Sequence, residues 1–260
     1  MIFSIILAKS SIKCYSINMS TDVNNISYAK NALNKTLYMD EILTYSHYYL
    51  DTPKQSDYHK HAHNCYELLY FISGDANYYV ENFMFKLDKY DLIFIKPKNF
   101  HYLAINDSSI SYERINFTFD SSFLSAAELD EMFSTNHKIS LAGDKFFQDW
   151  SKRIEYDIKY YQGEDKRRSV YLLITEFLIY LKNHKETASD LVISNSVLSN
   201  AIEYINDNIT TVKTAQEVAN AVYISTSYLH YLFKKYLSVG PKDYIMEKKL
   251  LKAEEYIAKG

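Results

Sequence analysis

The sequence predicts an α+β protein in which a small β-barrel is followed by a helical dimerisation segment and a C-terminal helix-turn-helix. Three observations carry that expectation. Residues 37–120 alternate short runs rich in Tyr, Phe, Ile and Val with turn chemistry, the pattern of short strands. From about Ser121 the apolar residues recur every three to four positions, the helical period. Residues 214–237 then hold two short helical patterns joined by only Tyr223-Ile224.

In the first unit, Tyr66–Ser73, Ala76–Glu81, Phe83–Leu87, Leu92–Ile95 and Arg114–Phe119 read as strands. Ser73-Gly74-Asp75, Glu81-Asn82, Asp88–Asp91 and Pro97-Lys98-Asn99 supply turns between them. In the second, Phe147, Trp150, Ile154, Ile158 and Tyr161 mark one amphipathic helix, and Val170, Leu173, Ile174, Phe177, Leu178 and Leu181 mark another. They are split at Gln162-Gly163-Glu164. The later stripe suits a dimer interface or packing on the barrel. Residues 190–196 form a connector with an N-cap at Ser194 or Ser196. Val197–Ile209, Thr214–Val222 and Ser225–Leu237 follow as short helices, and Gly240-Pro241 precedes a last helix at Lys242–Lys259. The boundaries are thus an extension at 1–36, a barrel at 37–120, a helical segment at 121–195 and a helix-turn-helix unit at 196–260.

Composition excludes several classes. With 47% hydrophobic and 23% charged residues, the chain falls outside the disordered class. Only five glycines occur in 260 residues, and neither GxGxxG nor GxxxxGK[ST] is present, which argues against dinucleotide and P-loop enzymes. Cys14 and Cys65 form no zinc-finger or CxxC spacing and fit a reducing compartment. No run approaches the ~18 apolar residues of a membrane span, so a cytoplasmic protein without a membrane partner is expected. The apolar opening Met1–Ala8 lacks a preceding positive charge, and Met19 is an alternative start. The net charge of -3 hides an asymmetry: Ser227–Lys252 holds six lysines against Asp243 and Glu247. That local excess suits a polyanion partner or a solvated helix face.

Two constellations stand out. His61, His63 and Glu67 share strand parity, and a second strand end could bring His101 opposite. Three imidazoles and a carboxylate suit a divalent transition metal, the one cofactor the sequence suggests; the same groups also suit an effector pocket or a satisfied loop. The second constellation is the helix-turn-helix. Ala219 is small where two helices cross, and Val222, Leu229, Leu232 and Phe233 supply a buried side. The opposite face offers Ser227, His230, Tyr231, Lys234 and Lys235 for base edges and phosphates. An ordinary three-helix bundle with a charged face shows the same periodicity.

The run Ala219-x2-Val222-x2-Ser225-x2-Tyr228-Leu229-x3-Phe233-Lys234-Lys235, followed by Tyr244, Lys249 and Ala253, resembles the DNA-binding region of AraC/XylS transcriptional regulators. His61-x-His63-x3-Glu67-Leu68-Leu69-Tyr70-x3-Gly74, then Asp91–Ile95, Pro97 and His101, is similar to the cupin-type sensor barrel of that family. The resemblance implies a non-enzymatic, homodimeric, cytoplasmic regulator that binds promoter DNA and a small-molecule effector, a sugar being one candidate. Ser238, Lys249 and Tyr90 depart from the family pattern, and only the first helix-turn-helix and the linker helix are expected within the chain. A metal-dependent cupin enzyme and a decoy that binds no DNA are the alternatives.

Overall fold

The computed structural model describes residues 32–259 apart from 56, 57, 59, 82, 136, 185–191, 194 and 238. The expected extension, Cys14, both candidate start methionines and the Ser194 cap lie outside the described residues, except that strand β1 already begins at Ala32.

Among the described residues, ten strands form two sheets instead of a closed barrel. β1 (Ala32–Met39), β2 (Leu43–Leu50), β8 (Tyr112–Phe119), β3 (Tyr66–Ser73), β6 (Asp91–Ile95) and β9 (Lys138–Ser140) make the larger, in that order. β10 (Val192–Ile193), β5 (Phe83–Lys86), β4 (Ala76–Val80) and β7 (His101–Ile105) make the smaller. The expected barrel is therefore corrected to a sandwich: the chain crosses between the sheets after β3, β5, β6, β7 and β9, but the described edges do not pair to close it. β1, β2, β7, β9 and β10 had no strand expectation of their own.

Alternation along the larger sheet separates two cores. Leu68, Phe94, Ile115, Phe117 and Phe119 face outward under the helices, while Leu69, Phe71, Ile93 and Ile95 face the smaller sheet. The outer face is covered by α1 (Ala126–Thr135), α2 (Lys145–Tyr160) and α3 (Gly163–Asn183). Trp150 on α2 stacks on Phe177 of α3 at 4.5 Å and donates its indole N–H to the Leu173 carbonyl at 2.6 Å. His47 on β2 bridges Glu113 and Glu155 at 2.9 and 2.5 Å, tying α2 to the sheet. The apolar stripe Val170–Leu181, read as a dimer seam or as packing on the barrel, turns into the protomer's core: Val170, Ile174, Phe177, Leu178 and Leu181 are buried and Leu173 is half-buried. Periodicity reports that a face is buried and is silent on whether the covering surface belongs to the same chain.

The C-terminal unit follows the connector, whose Val192–Ile193 pairs with Phe83 and Met84 of β5. α4 (Ser196–Asp207) is capped by Asn195, which accepts from the Leu198 N–H at 3.0 Å, in place of the expected serine. α5 (Ala215–Ala221) and α6 (Thr226–Leu232) are capped by Thr214 and Ser225. A π turn at Phe233–Leu237 extends α6, and α7 runs Pro241–Lys259. Between α5 and α6 the chain reverses through Tyr223 at φ 58, with the Ile224 N–H bonded to the Ala219 carbonyl at 3.0 Å. That left-handed cap position favours glycine, and the Tyr223 side chain is 95% exposed. Tyr223→Gly is expected to stabilise this unit by about 0.5–1 kcal/mol, as relief of the left-handed strain outweighs the added chain entropy. Urea unfolding followed by circular dichroism checks it, and a lower midpoint would contradict it.

Candidate functional site

The structure brings His61, His63, Glu67 and His101 together, with candidate ligand atoms all within 4.8 Å of one another. They reach this spot from different places. Glu67 lies on β3 and His101 opens β7, while His61 pairs with His101 through an isolated antiparallel bridge, at 3.1 and 2.9 Å between their backbone groups. His63 sits in the loop between, so the shared parity of one continuous strand is not what aligns them. His63, Glu67 and His101 are buried and His61 is half-buried.

Hydrogen bonding fixes the imidazoles. The Nδ1 atoms of His63 and His101 face the carbonyls of Cys65 and Asn99 at 3.1 and 2.8 Å, so each must carry a proton there. Both Nε2 atoms then point at Glu67 Oε2, from 2.6 Å for His63 and 3.3 Å for His101. His101 Nε2 is out of hydrogen-bonding alignment and buried without a partner. Burial raises the Glu67 carboxyl, but His101 and His63 outweigh it and hold it well below the usual carboxylate range. Both Nε2 atoms and the Glu67 carboxylate therefore converge on one point, where a divalent cation would find its donors. The donor set and its backbone support fit a transition metal.

On the DNA-reading side of the expectation, Ser227, His230, Tyr231, Lys234 and Lys235 are all exposed along α6 and its π turn. Tyr228 stacks on Tyr231 at 6.0 Å, and Lys235 lies over the Tyr231 ring at 5.5 Å. The structure places these five on one surface, far along the chain from the histidines. Lys248, counted with the basic excess, is instead buried at 4% exposure and unavailable to a polyanion.

Where Lys248 goes is the feature that sequence reasoning missed. Its Nζ donates to Glu81 Oε1 and to the Lys98 carbonyl, both at 2.6 Å. The Tyr244 hydroxyl donates to Glu81 Oε2 at 2.6 Å, and the Phe100 N–H donates to Oε1 at 3.0 Å. Phe100 packs on Tyr244 at 4.7 Å and, with Ala62, joins the core of the helix-turn-helix unit. Lys60, donating to the Leu237 carbonyl, is pushed down to about 7 by burial, against the opposing pull of Glu81 and Glu247. Phe100 and Lys60 are chain neighbours of His101 and His61, so the histidine cluster and the docking contact share one strip of backbone. Glu81 sits at φ 51, in the turn the sequence marks at Glu81-Asn82, and no motif there signals its pairing with Lys248 and Tyr244.

No protein-family profile and no curated protein matches the chain. Among solved structures it is similar to CuxR, an AraC-like transcriptional activator, at 15% identity and TM-score 0.41, with 84% of this chain and 82% of that one covered. It is also similar to a double-stranded β-helix RmlC-like cupin from Methanocaldococcus jannaschii, at 17% identity and TM-score 0.30, covering 40% of this chain and 94% of that one. An RmlC-like cupin from Shewanella frigidimarina is 14% identical at TM-score 0.31, with 41% and 95% covered. No described helix is long and apolar enough to cross a membrane.

Proposed function

We propose that the chain is a cytoplasmic, homodimeric one-component transcription regulator. The sandwich receives a small-molecule effector near His61, His63, Glu67 and His101, and α6 enters the major groove of promoter DNA. The observation that carries the reading is the exposed face of Ser227, His230, Tyr231, Lys234 and Lys235 on a capped helix whose opposite side is buried. Side chains near the start of such a helix reach base edges, and the two lysines at its end meet phosphates. Effector occupancy acts by shifting the docked helix-turn-helix unit relative to the sandwich, through the strip that joins His101 to Phe100 and Glu81. Mobility shifts with DNA from upstream of the gene test the reading. Sequence-preferring binding supports it, and equal binding to random DNA overturns it.

A metal-dependent cupin enzyme is favoured by one observation, the four convergent donors. His61, His63, Glu67 and His101 would hold the ion, which would supply Lewis acidity. Protein purified without chelator and then titrated with Co(II) is expected to develop ligand-field absorption at one ion per chain. His63→Ala should weaken that binding at least tenfold. Absence of saturable absorption would remove the metal, and with it the enzyme reading.

A further inference from the structure

The inner row of β8 is unlike its surroundings. Tyr112, Arg114, Asn116 and Thr118 face the smaller sheet, while Ile115, Phe117 and Phe119 alternate with them on the helix side. Register places Arg114 beside Phe71 and Tyr48, Asn116 beside Leu69 and Ser46, and Thr118 beside Glu67 and Thr44. At the usual strand rise, the Arg114 row lies about 14 Å from the Glu67 row, with Asn116 halfway. The polar row therefore leads from the histidine cluster into the sandwich.

The Arg114 guanidinium carbon lies 5.7, 6.0 and 5.9 Å from the ring centres of Tyr48, Tyr58 and Tyr112. Among the described residues, no carboxylate forms an ion pair with it. Its Nε is buried without an acceptor and Asn116 Oδ1 on the same row is buried without a partner, while the Tyr112 hydroxyl turns to the guanidinium itself. Native folds pair almost all such groups, and here the Glu67 charge acts on the guanidinium without a direct ion pair. Arg114 and Asn116 nevertheless retain partial exposure where Ile115 and Phe117 between and beside them are sealed. Aromatic walls with a few convergent, unpaired polar groups have the composition of a ligand site.

We propose that this inner face binds a small organic anion, its carboxylate or phosphate held by Arg114 between Tyr48 and Tyr112 with Asn116 alongside. The planar guanidinium offers two parallel donors to either anion, and the tyrosine rings favour retention of the cation. The proposal rests on the sensor reading above and deepens it by giving the effector a charge. A neutral sugar would leave the guanidinium without a direct ion-pair partner.

The test uses the full chain, with sodium succinate, sodium phosphate and D-glucose as probes against sodium chloride of equal ionic strength. Thermal shift and titration calorimetry are the readouts. A saturable rise in Tm with succinate or with phosphate is expected, and which of the two acts identifies the source of the anion. Glucose should give none. Arg114→Gln should abolish the response, and Arg114→Lys, which keeps the charge but loses the paired donors, should weaken binding at least tenfold while retaining the wild-type circular dichroism. No saturable response to either anion, a response to glucose, or unchanged affinity in Arg114→Lys would overturn the proposal. Promoter mobility shifts separate the two readings. Anion binding without promoter binding would leave this site standing and sink the regulator, and promoter binding without anion binding would do the reverse.

Discussion

Glu81→Ala is expected to destabilise the protein by about 3–5 kcal/mol, because it leaves the Lys248 ammonium buried without its counter-charge. The same change strips acceptors from the Tyr244 hydroxyl and the Phe100 N–H. Lys248 would keep only the Lys98 carbonyl. In a chain of this size the loss corresponds to a fall in Tm of roughly 6–20 °C. A buried ion pair is weak evidence of net stability, so the informative partner is Glu81→Gln combined with Lys248→Met. That pair removes both charges together, keeps an acceptor for Tyr244, and should recover most of the loss. Thermal melts of the single and double variants decide it. If Glu81→Ala melts with the wild type, the contact is not a buried charge pair in solution.

Replacing Lys234 and Lys235 together by alanine is expected to weaken promoter binding and to flatten its salt dependence. Each phosphate contact contributes about 0.9 to the slope of log affinity against log salt, so the double variant should lose roughly 1.8. The loss should be equal for promoter and random DNA, since phosphates carry no sequence. His230→Ala is the complementary case. A base contact there costs about 1–3 kcal/mol at the preferred site and almost nothing on random DNA. Titrations at several salt concentrations separate the two effects. An unchanged slope in the lysine variant would place the DNA elsewhere. All three side chains are exposed, so their loss should leave the unfolding free energy within about 0.5 kcal/mol of wild type.

Much of this architecture was legible in the sequence because its signals are local. The Gly163 break and the buried side of α6 depend on residues a few positions apart, and the structure agrees to within a few residues, whereas the expected serine cap of α4 is Asn195. β1, β2 and β7 were missed because their Tyr and His content blurs alternation; Tyr45 and Tyr48 are buried on opposite faces of β2. Closure of the sheets was overestimated, since strand count says nothing about edges. At the candidate site, the HxHxxxE spacing was visible and the gathering of His101 was open to inference. Glu81 and Arg114 were not legible. A carboxylate in a turn and an arginine in a strand look like surface residues until the partner elements, 163 positions away for Tyr244, come into contact with them.

The two-residue pairing of Val192 and Ile193 with β5 has a mechanical consequence. It fixes the chain to the smaller sheet only two positions before the Asn195 cap of α4, so the helix-turn-helix unit is secured on one side by backbone pairing and on the other by Glu81. Loss of the Glu81 contacts would still leave the unit tethered to the smaller sheet at Ile193, so its re-docking would be an intramolecular event at high effective concentration.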